Sequence, residues 1–138
     1  NKLKEQDGYK IDFSYDQMVM VEADEYKIFQ VIYNLVNNAI NYTGDDKQIW
    51  VRQIVREDGY VRIEVTDSGE GIAPEALPYV WDRYYKVDKT HKRAVMGTGL
   101  GLSIVKNILE LHDARYGVES EVGKGSTFWF ELKVYQIV

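Results

Sequence analysis

Apolar residues recur along this chain with two periods, and each change of period marks a new element. Tyr9 to Ser14 and Gln17 to Glu22 read as short strands separated by a Tyr15-Asp16 turn. Asp24 then stands as an N-cap for a helix from Glu25 to about Tyr42. On the helical wheel Ile28, Ile32, Leu35, Val36 and Ala39 gather as a core stripe, and the opposite face carries Lys27, Gln30, Asn34, Asn38 and Asn41. Gly44-Asp45-Asp46 ends the helix. Gln48 to Arg56 and Tyr60 to Thr66 are strands joined by Asp58-Gly59, a strong hairpin signal. Val61, Ile63 and Val65 alternate with Arg62, Glu64 and Thr66, and continuing the alternation puts Asp67 on the apolar side at the strand's end.

Glu75 to Arg83 predicts a short helix behind Pro74, and Asp82 to Met96 has no clear period and reads as a loop. A further helix runs from Thr98 to His112, with Gly101, Ile104, Val105, Ile108 and either Leu111 or His112 inward. Arg115 to Val122 and Thr127 to Tyr135 form a last strand pair around Gly123-Lys124-Gly125. These elements predict an α+β fold, a two-layer sandwich of about five strands covered on one face by about three helices.

Composition narrows the class. The 138 residues suffice for one domain with a real core, at 45% apolar and 28% charged. No run approaches the apolar length that spans a bilayer. The absence of cysteine excludes a disulfide framework or thiolate metal site, and a net charge of −5 disfavours non-specific nucleic-acid binding. Opening on Asn1-Lys2-Leu3, the chain reads as a fragment of something longer.

Four segments carry chemistry. Asn34, Asn38 and Asn41 share one helix face although asparagine is a poor interior helix former. The stripe is either a solvated polar face or a set of amide oxygens for a hard cation such as magnesium. Asp67, followed by Ser68-Gly69-Glu70-Gly71, is either an Asx turn at a strand end or a carboxylate reading a donor on a flat base, with glycines leaving room for it. Gly97-Thr98-Gly99-Leu100-Gly101-Leu102 opens a helix, where free N–H groups suit phosphate oxygens. Leu102 occupies the third glycine position of a dinucleotide fingerprint, so it is not that motif. Gly123-Lys124-Gly125-Ser126-Thr127 is not a P-loop, because Gly125 follows the lysine, and it predicts a tight turn. Arg83, Lys86, Lys89, Lys92 and Arg93, with His91 among them, form a basic cluster before the phosphate loop. It is either a charged surface loop or a lid over a triphosphate. Together the segments describe a magnesium–nucleotide site.

Their order and spacing resemble the catalytic ATP-binding domain of bacterial two-component sensor histidine kinases, over nearly the whole chain. The resemblance implies one domain across residues 1–138, with the Bergerat fold and its mixed, mostly antiparallel sheet. It implies Asn38 as the magnesium ligand supported by Asn34, Asn41 at a position often held by lysine, and Tyr42 beside the nucleotide. Asp67, Gly69 and Gly71 match the first glycine box that reads the adenine amino group, Ile72 lines the base pocket, and Thr127 matches a threonine assisting base binding. Trp81-Asp82-Arg83-Tyr84-Tyr85-Lys86 resembles the aromatic box. Tyr85 and Lys86 fall among the nucleotide contacts, Lys86 where a phosphate-binding arginine is common. Gly97, Thr98, Gly99, Leu100, Gly101 and Leu102 match the phosphate loop, preceded by Met96 where glycine is usual.

The implied function is binding of Mg·ATP and transfer of its γ-phosphoryl group to a histidine on a separate dimerisation domain, with Asn34, Asn38 and Lys86 catalytic. Neither His91 nor His112 matches the acceptor. The Bergerat-fold ATPases carry a glutamate base where this chain has Asn34, and an amide cannot take a proton from water. A Bergerat-type ATPase and a non-catalytic ATP-binding module are the alternatives. Implied partners are the kinase's own dimerisation domain and a response regulator, with no nucleic acid. The parent is expected to be a homodimer, the isolated domain a monomer, and the location a cytoplasmic domain of a membrane-bound sensor kinase.

Overall fold

The computed structural model describes residues 10–15, 17–42, 48–81 and 101–137. The expected Asp82–Met96 lid, the Gly44-Asp45-Asp46 helix stop, and the site residues Tyr85, Lys86, Gly97, Thr98, Gly99 and Leu100 lie outside them. In chain order the elements are β1 (Lys10–Tyr15), β2 (Val19–Val21), α1 (Glu25–Tyr42), β3 (Gln48–Val55), β4 (Tyr60–Asp67), a 3-10 turn (Leu77–Tyr79), α2 (Gly101–Leu111), β5 (Arg115–Glu121) and β6 (Gly125–Ile137).

The strands make one six-stranded sheet in the order β1-β3-β4-β6-β2, with β5 also on β6. Among the described strands only the β1–β3 pairing is parallel, so the sheet is mixed and mostly antiparallel as expected, with helices on one face. Six strands replace about five because β6 runs for 13 residues, past the end of the 7-residue β5, and its last stretch pairs with β2. The two N-terminal strands therefore do not pair with each other: β1 extends the sheet beyond β3, and β2 lies on β6.

Two α-helices stand among the described residues where about three helices were expected. The Glu75–Arg83 helix is instead a single 3-10 turn, in which Tyr79 N–H donates to Ala76 O at 3.0 Å and Val80 N–H to Leu77 O at 3.4 Å. Pro78 has no N–H and its ring conflicts with an α-helical carbonyl four residues back, so the tighter turn wins. The N-cap of α1 is as the sequence predicts: Lys27 N–H donates to Asp24 Oδ1 at 3.1 Å. His112, at the end of α2, ties the two helices together. Its Nδ1–H donates to Ile108 O at 2.9 Å, and its Nε2 accepts Asp24 N–H at 3.1 Å.

The core joins Ile49, Val61, Val65, Phe128, Phe130 and Leu132 of the sheet to Val31, Leu35, Val36 and Ala39 of α1 and to Val105, Ile108 and Leu109 of α2. Two members correct the helical wheels. Val31 and Leu109 are both fully buried, whereas Leu111 is 80% exposed. Helix α1 packs on α2 as well as on β3 and β4, so its buried arc is wider than one stripe. Gly101, expected inward, faces open space, since an added Cβ would meet nothing within 4 Å.

Among the described residues no helix lies over the other sheet face, which is covered by its own long side chains. Glu131 is buried there, with Arg62 and Arg115 each 3.4 Å from its carboxylate and Arg56 Nε also at 3.4 Å. Arg62 also meets Glu64 at 3.0 Å and lies 4.1 Å over the Trp129 ring. An ionised carboxylate tolerates such burial only with partners of this kind.

Candidate nucleotide-binding site

The alternation of β4 carries Asp67 to the core face, where it is 2% exposed. Its neighbours in register are Ile49 on β3 and Ser126 on β6. Asp67 Oδ1 accepts Gly69 N–H at 2.8 Å, which is the Asx turn anticipated as one reading of this motif. The turn does not exclude base recognition, because a carboxylate carries two acceptor oxygens.

Glycines are required here by close backbone approach. Gly71 has φ +80°, and a Cβ on it would run into the Glu121 carbonyl. Gly125 has φ +106°, and its Cβ would run into the carbonyl of Asp67. Gly123 N–H donates to Glu70 O at 2.7 Å. The segment after β4 is thus pressed against the β5–β6 turn, and Gly123-Lys124-Gly125 is that turn, as expected. Ile72 closes the segment, 5% exposed, with its N–H donated to Ser120 Oγ at 2.7 Å.

Thr127 is not beside Asp67. It pairs with Thr66, on the outer sheet face, and the two hydroxyls are 2.9 Å apart. The hydroxyl sharing the face of Asp67 belongs to Ser126, which is 6% exposed and lies 2.8 Å from Ser120 Oγ. Strand alternation reverses the face at each residue, so Thr127, expected to assist base binding, faces away from Asp67. The signal that finds Ser126 is its place opposite Asp67, which only the strand register reveals. Ser120 was likewise missed.

Asn34, Asn38 and Asn41 are all half-buried, on the flank of α1 rather than its outermost face. That face carries exposed Tyr26, Phe29 and Tyr33, the last two with stacked rings 6.3 Å apart. Amide oxygens are hard donors, so the asparagine flank suits a magnesium ion that keeps water and phosphate as its other ligands. The backbone of Tyr42 is the last residue of α1. Gly101 and Leu102 begin α2, both half-buried.

Trp81, the first residue of the aromatic box, is anchored in the core layer. Its ring meets Tyr116 edge-on at 5.1 Å and Phe128 at 5.4 Å. Tyr116 is fixed in turn by its hydroxyl, which donates to Glu110 Oε2 at 2.8 Å. Burial, reinforced by that bond, pushes the phenol pKa up to about 12, so it stays protonated at neutral pH.

Known proteins resemble this chain in sequence and in fold. The family model described as histidine kinase-, DNA gyrase B-, and HSP90-like ATPase matches residues 23–136. Drug sensory protein A of Synechocystis is 42% identical over 118 residues, covering 79% of this chain and 18% of that protein. Sensor protein SrrB of Staphylococcus aureus is 42% identical over 127 residues, covering 91% and 21%. The chain therefore spans about a fifth of the length of these relatives. The catalytic domain of histidine kinase ThkA superposes with a TM-score of 0.79 at 30% identity, over 96% of this chain and 84% of that one. Full-length ShkA in complex with AMPPNP gives 0.80 at 27% identity, over 98% and 28%. The mycobacterial sensor histidine kinase MprB shares the fold, with a TM-score of 0.86 at 20% identity, over 98% and 90%. The chain belongs to the histidine kinase-, DNA gyrase B-, and HSP90-like ATPase family.

Proposed function

We propose that residues 1–138 form the catalytic ATP-binding domain of a two-component sensor histidine kinase. In this reading the domain binds Mg·ATP and delivers the γ-phosphoryl group to a histidine on a separate dimerisation domain. The observation that carries it is Asp67: a buried carboxylate at a strand end, held in an Asx turn, between backbone segments that Gly71 and Gly125 let approach more closely than any Cβ would permit. Such a group suits the exocyclic amino donor of adenine, with Ile72 against the base.

Asn38 is the magnesium ligand in this proposal, with Asn34 supporting it and Asn41 and Tyr42 beside the nucleotide. Gly97 to Leu102 hold phosphate oxygens with backbone N–H groups as α2 begins, and Tyr85 and Lys86 add ring and charge. Bound magnesium would neutralise charge developing on the phosphate oxygens. The residues of this chain bind, orient and exclude water, and the acceptor is supplied by another domain. Asn34 favours transfer over hydrolysis, because its amide cannot serve as the general base that a water nucleophile needs. The parent would then be a dimeric sensor, with this domain in the cytoplasm and a response regulator downstream.

Pairing the chain with the histidine-bearing segment of its parent and labelled ATP tests the reading. The expected product is an acid-labile phosphoprotein on that segment, with this chain unlabelled and its own ATP turnover extremely slow. Robust steady-state hydrolysis by the isolated chain would instead assign it to the hydrolases of the family.

A further inference from the structure

Beside Asp67 lies a small hydroxyl network whose proton arrangement is determined by counting. Ser120 Oγ accepts Ile72 N–H at 2.7 Å, lies 2.9 Å from Gly125 O, and lies 2.8 Å from Ser126 Oγ. A serine hydroxyl has one proton and two lone pairs. The Gly125 carbonyl can only accept, so the Ser120 proton goes to it. One Ser120 lone pair is taken by Ile72 N–H. The contact with Ser126 is then a bond only if Ser126 donates into the remaining lone pair of Ser120.

The consequence falls on Ser126. Its own proton is committed to Ser120, so towards its surroundings it presents lone pairs. Ser126 stands opposite Asp67 in the β4–β6 register and opposite Ser120 in the β5–β6 register, all on the core face. The row therefore offers two acceptors side by side, the Asp67 carboxylate and the Ser126 oxygen, with no hydroxyl proton free to turn round. We infer that Ser120 is a specificity-determining positioning residue: by holding the Ser126 hydroxyl as an acceptor, it makes this end of the sheet select purines with a 6-amino group over those with a 6-oxo group. The inference rests on the nucleotide reading above. An amino group brings two donors to two acceptors. A 6-oxo oxygen would face two acceptors and be repelled, which is an effective way to discriminate because the site's polar groups are left unpaired.

Calorimetric titration of the 138-residue chain with Mg·ADP and Mg·IDP tests this. The unmodified chain should bind ADP in strong preference to IDP. Failure to bind ADP at all would overturn the nucleotide reading itself. In Ser120→Ala the Ser126 proton is released to rotate towards a 6-oxo oxygen, and the ADP-over-IDP ratio should fall by about tenfold, mainly through tighter IDP binding. Ser120→Thr keeps a hydroxyl and should retain the ratio, which separates proton orientation from general loosening. Ser126→Ala removes the acceptor and should lower the ratio through weaker ADP binding, and adding Ser120→Ala to it should change the ratio no further. An unmodified chain that discriminates, with Ser120→Ala or Ser126→Ala discriminating equally well, would overturn the role of this network and leave the nucleotide reading intact.

Discussion

Asp67 occupies a place that packing alone would assign to a valine, the next member of the Val61, Ile63, Val65 row. A carboxylate survives there because its Oδ1 is engaged by Gly69 N–H. Asn at this position would keep that bond through its own carbonyl oxygen, while replacing the second acceptor with an NH2 donor. Asp67→Asn is therefore expected to weaken ADP binding by about 1–3 kcal/mol. Calorimetry finding unaltered affinity would remove Asp67 from base recognition. Period-two alternation was enough to place Asp67 in the sequence, since facing depends only on counting from the apolar neighbours. It was not enough to choose between Ser126 and Thr127, because local alternation does not say which of two adjacent residues stands opposite Asp67.

Helix α1 meets three different surroundings at once. Its buried arc packs on β3, β4 and α2, its flank holds the three half-buried asparagines, and its outer side exposes Tyr26, Phe29 and Tyr33. Asparagine in a helix interior is less favourable than alanine by roughly 0.5 kcal/mol, so the stripe is a liability unless it binds something. Asn38→Ala should accordingly hold or slightly raise the thermal stability of the ligand-free domain while weakening Mg·ATP binding and abolishing phosphotransfer. A large loss of ligand-free stability in differential scanning calorimetry would show that the asparagine flank is structural. Helix existence and boundaries were legible for α1, since 18 residues of period 3.6 leave little ambiguity. The 3-10 turn at Leu77–Tyr79 was not, because a short polar-apolar stretch fits one α-helical turn equally well and Pro78 decides between them.

The described residues form a two-layer sandwich, and among them one face of the sheet is protected without a third layer. Arginine stems and paired charges do this around Glu131, with Arg115 reaching on to Asp58 at 2.9 Å. The Arg115 guanidinium holds the Asp58 carboxyl below its usual range, so this exposed pair is lost as pH falls through the folded-state value. Glu131→Ala would leave Arg62 with Glu64 at 3.0 Å and the exposed Glu119 at 4.0 Å, and strip the Glu131 carboxylate from Arg56 and Arg115. Urea unfolding should register about 2–4 kcal/mol of lost stability, below the top of the range for a broken buried pair because two of the arginines are half-exposed. A loss under about 0.5 kcal/mol, typical of an exposed pair, would show that the face is solvated rather than sealed. Read as a chain, the residues alone determined the described strands and the two α-helices, the burial of Asp67, the turn at Gly123-Lys124-Gly125 and the resemblance to a kinase domain, because period, turn chemistry and motif order are local properties. Only the tertiary structure decided that β1 joins β3 in parallel while β2 crosses to β6, that Glu131 is a buried hub, and that Ser126 and Ser120 rather than Thr127 accompany Asp67. Those depend on which strands meet and in what register, and that is set by packing between residues far apart in sequence.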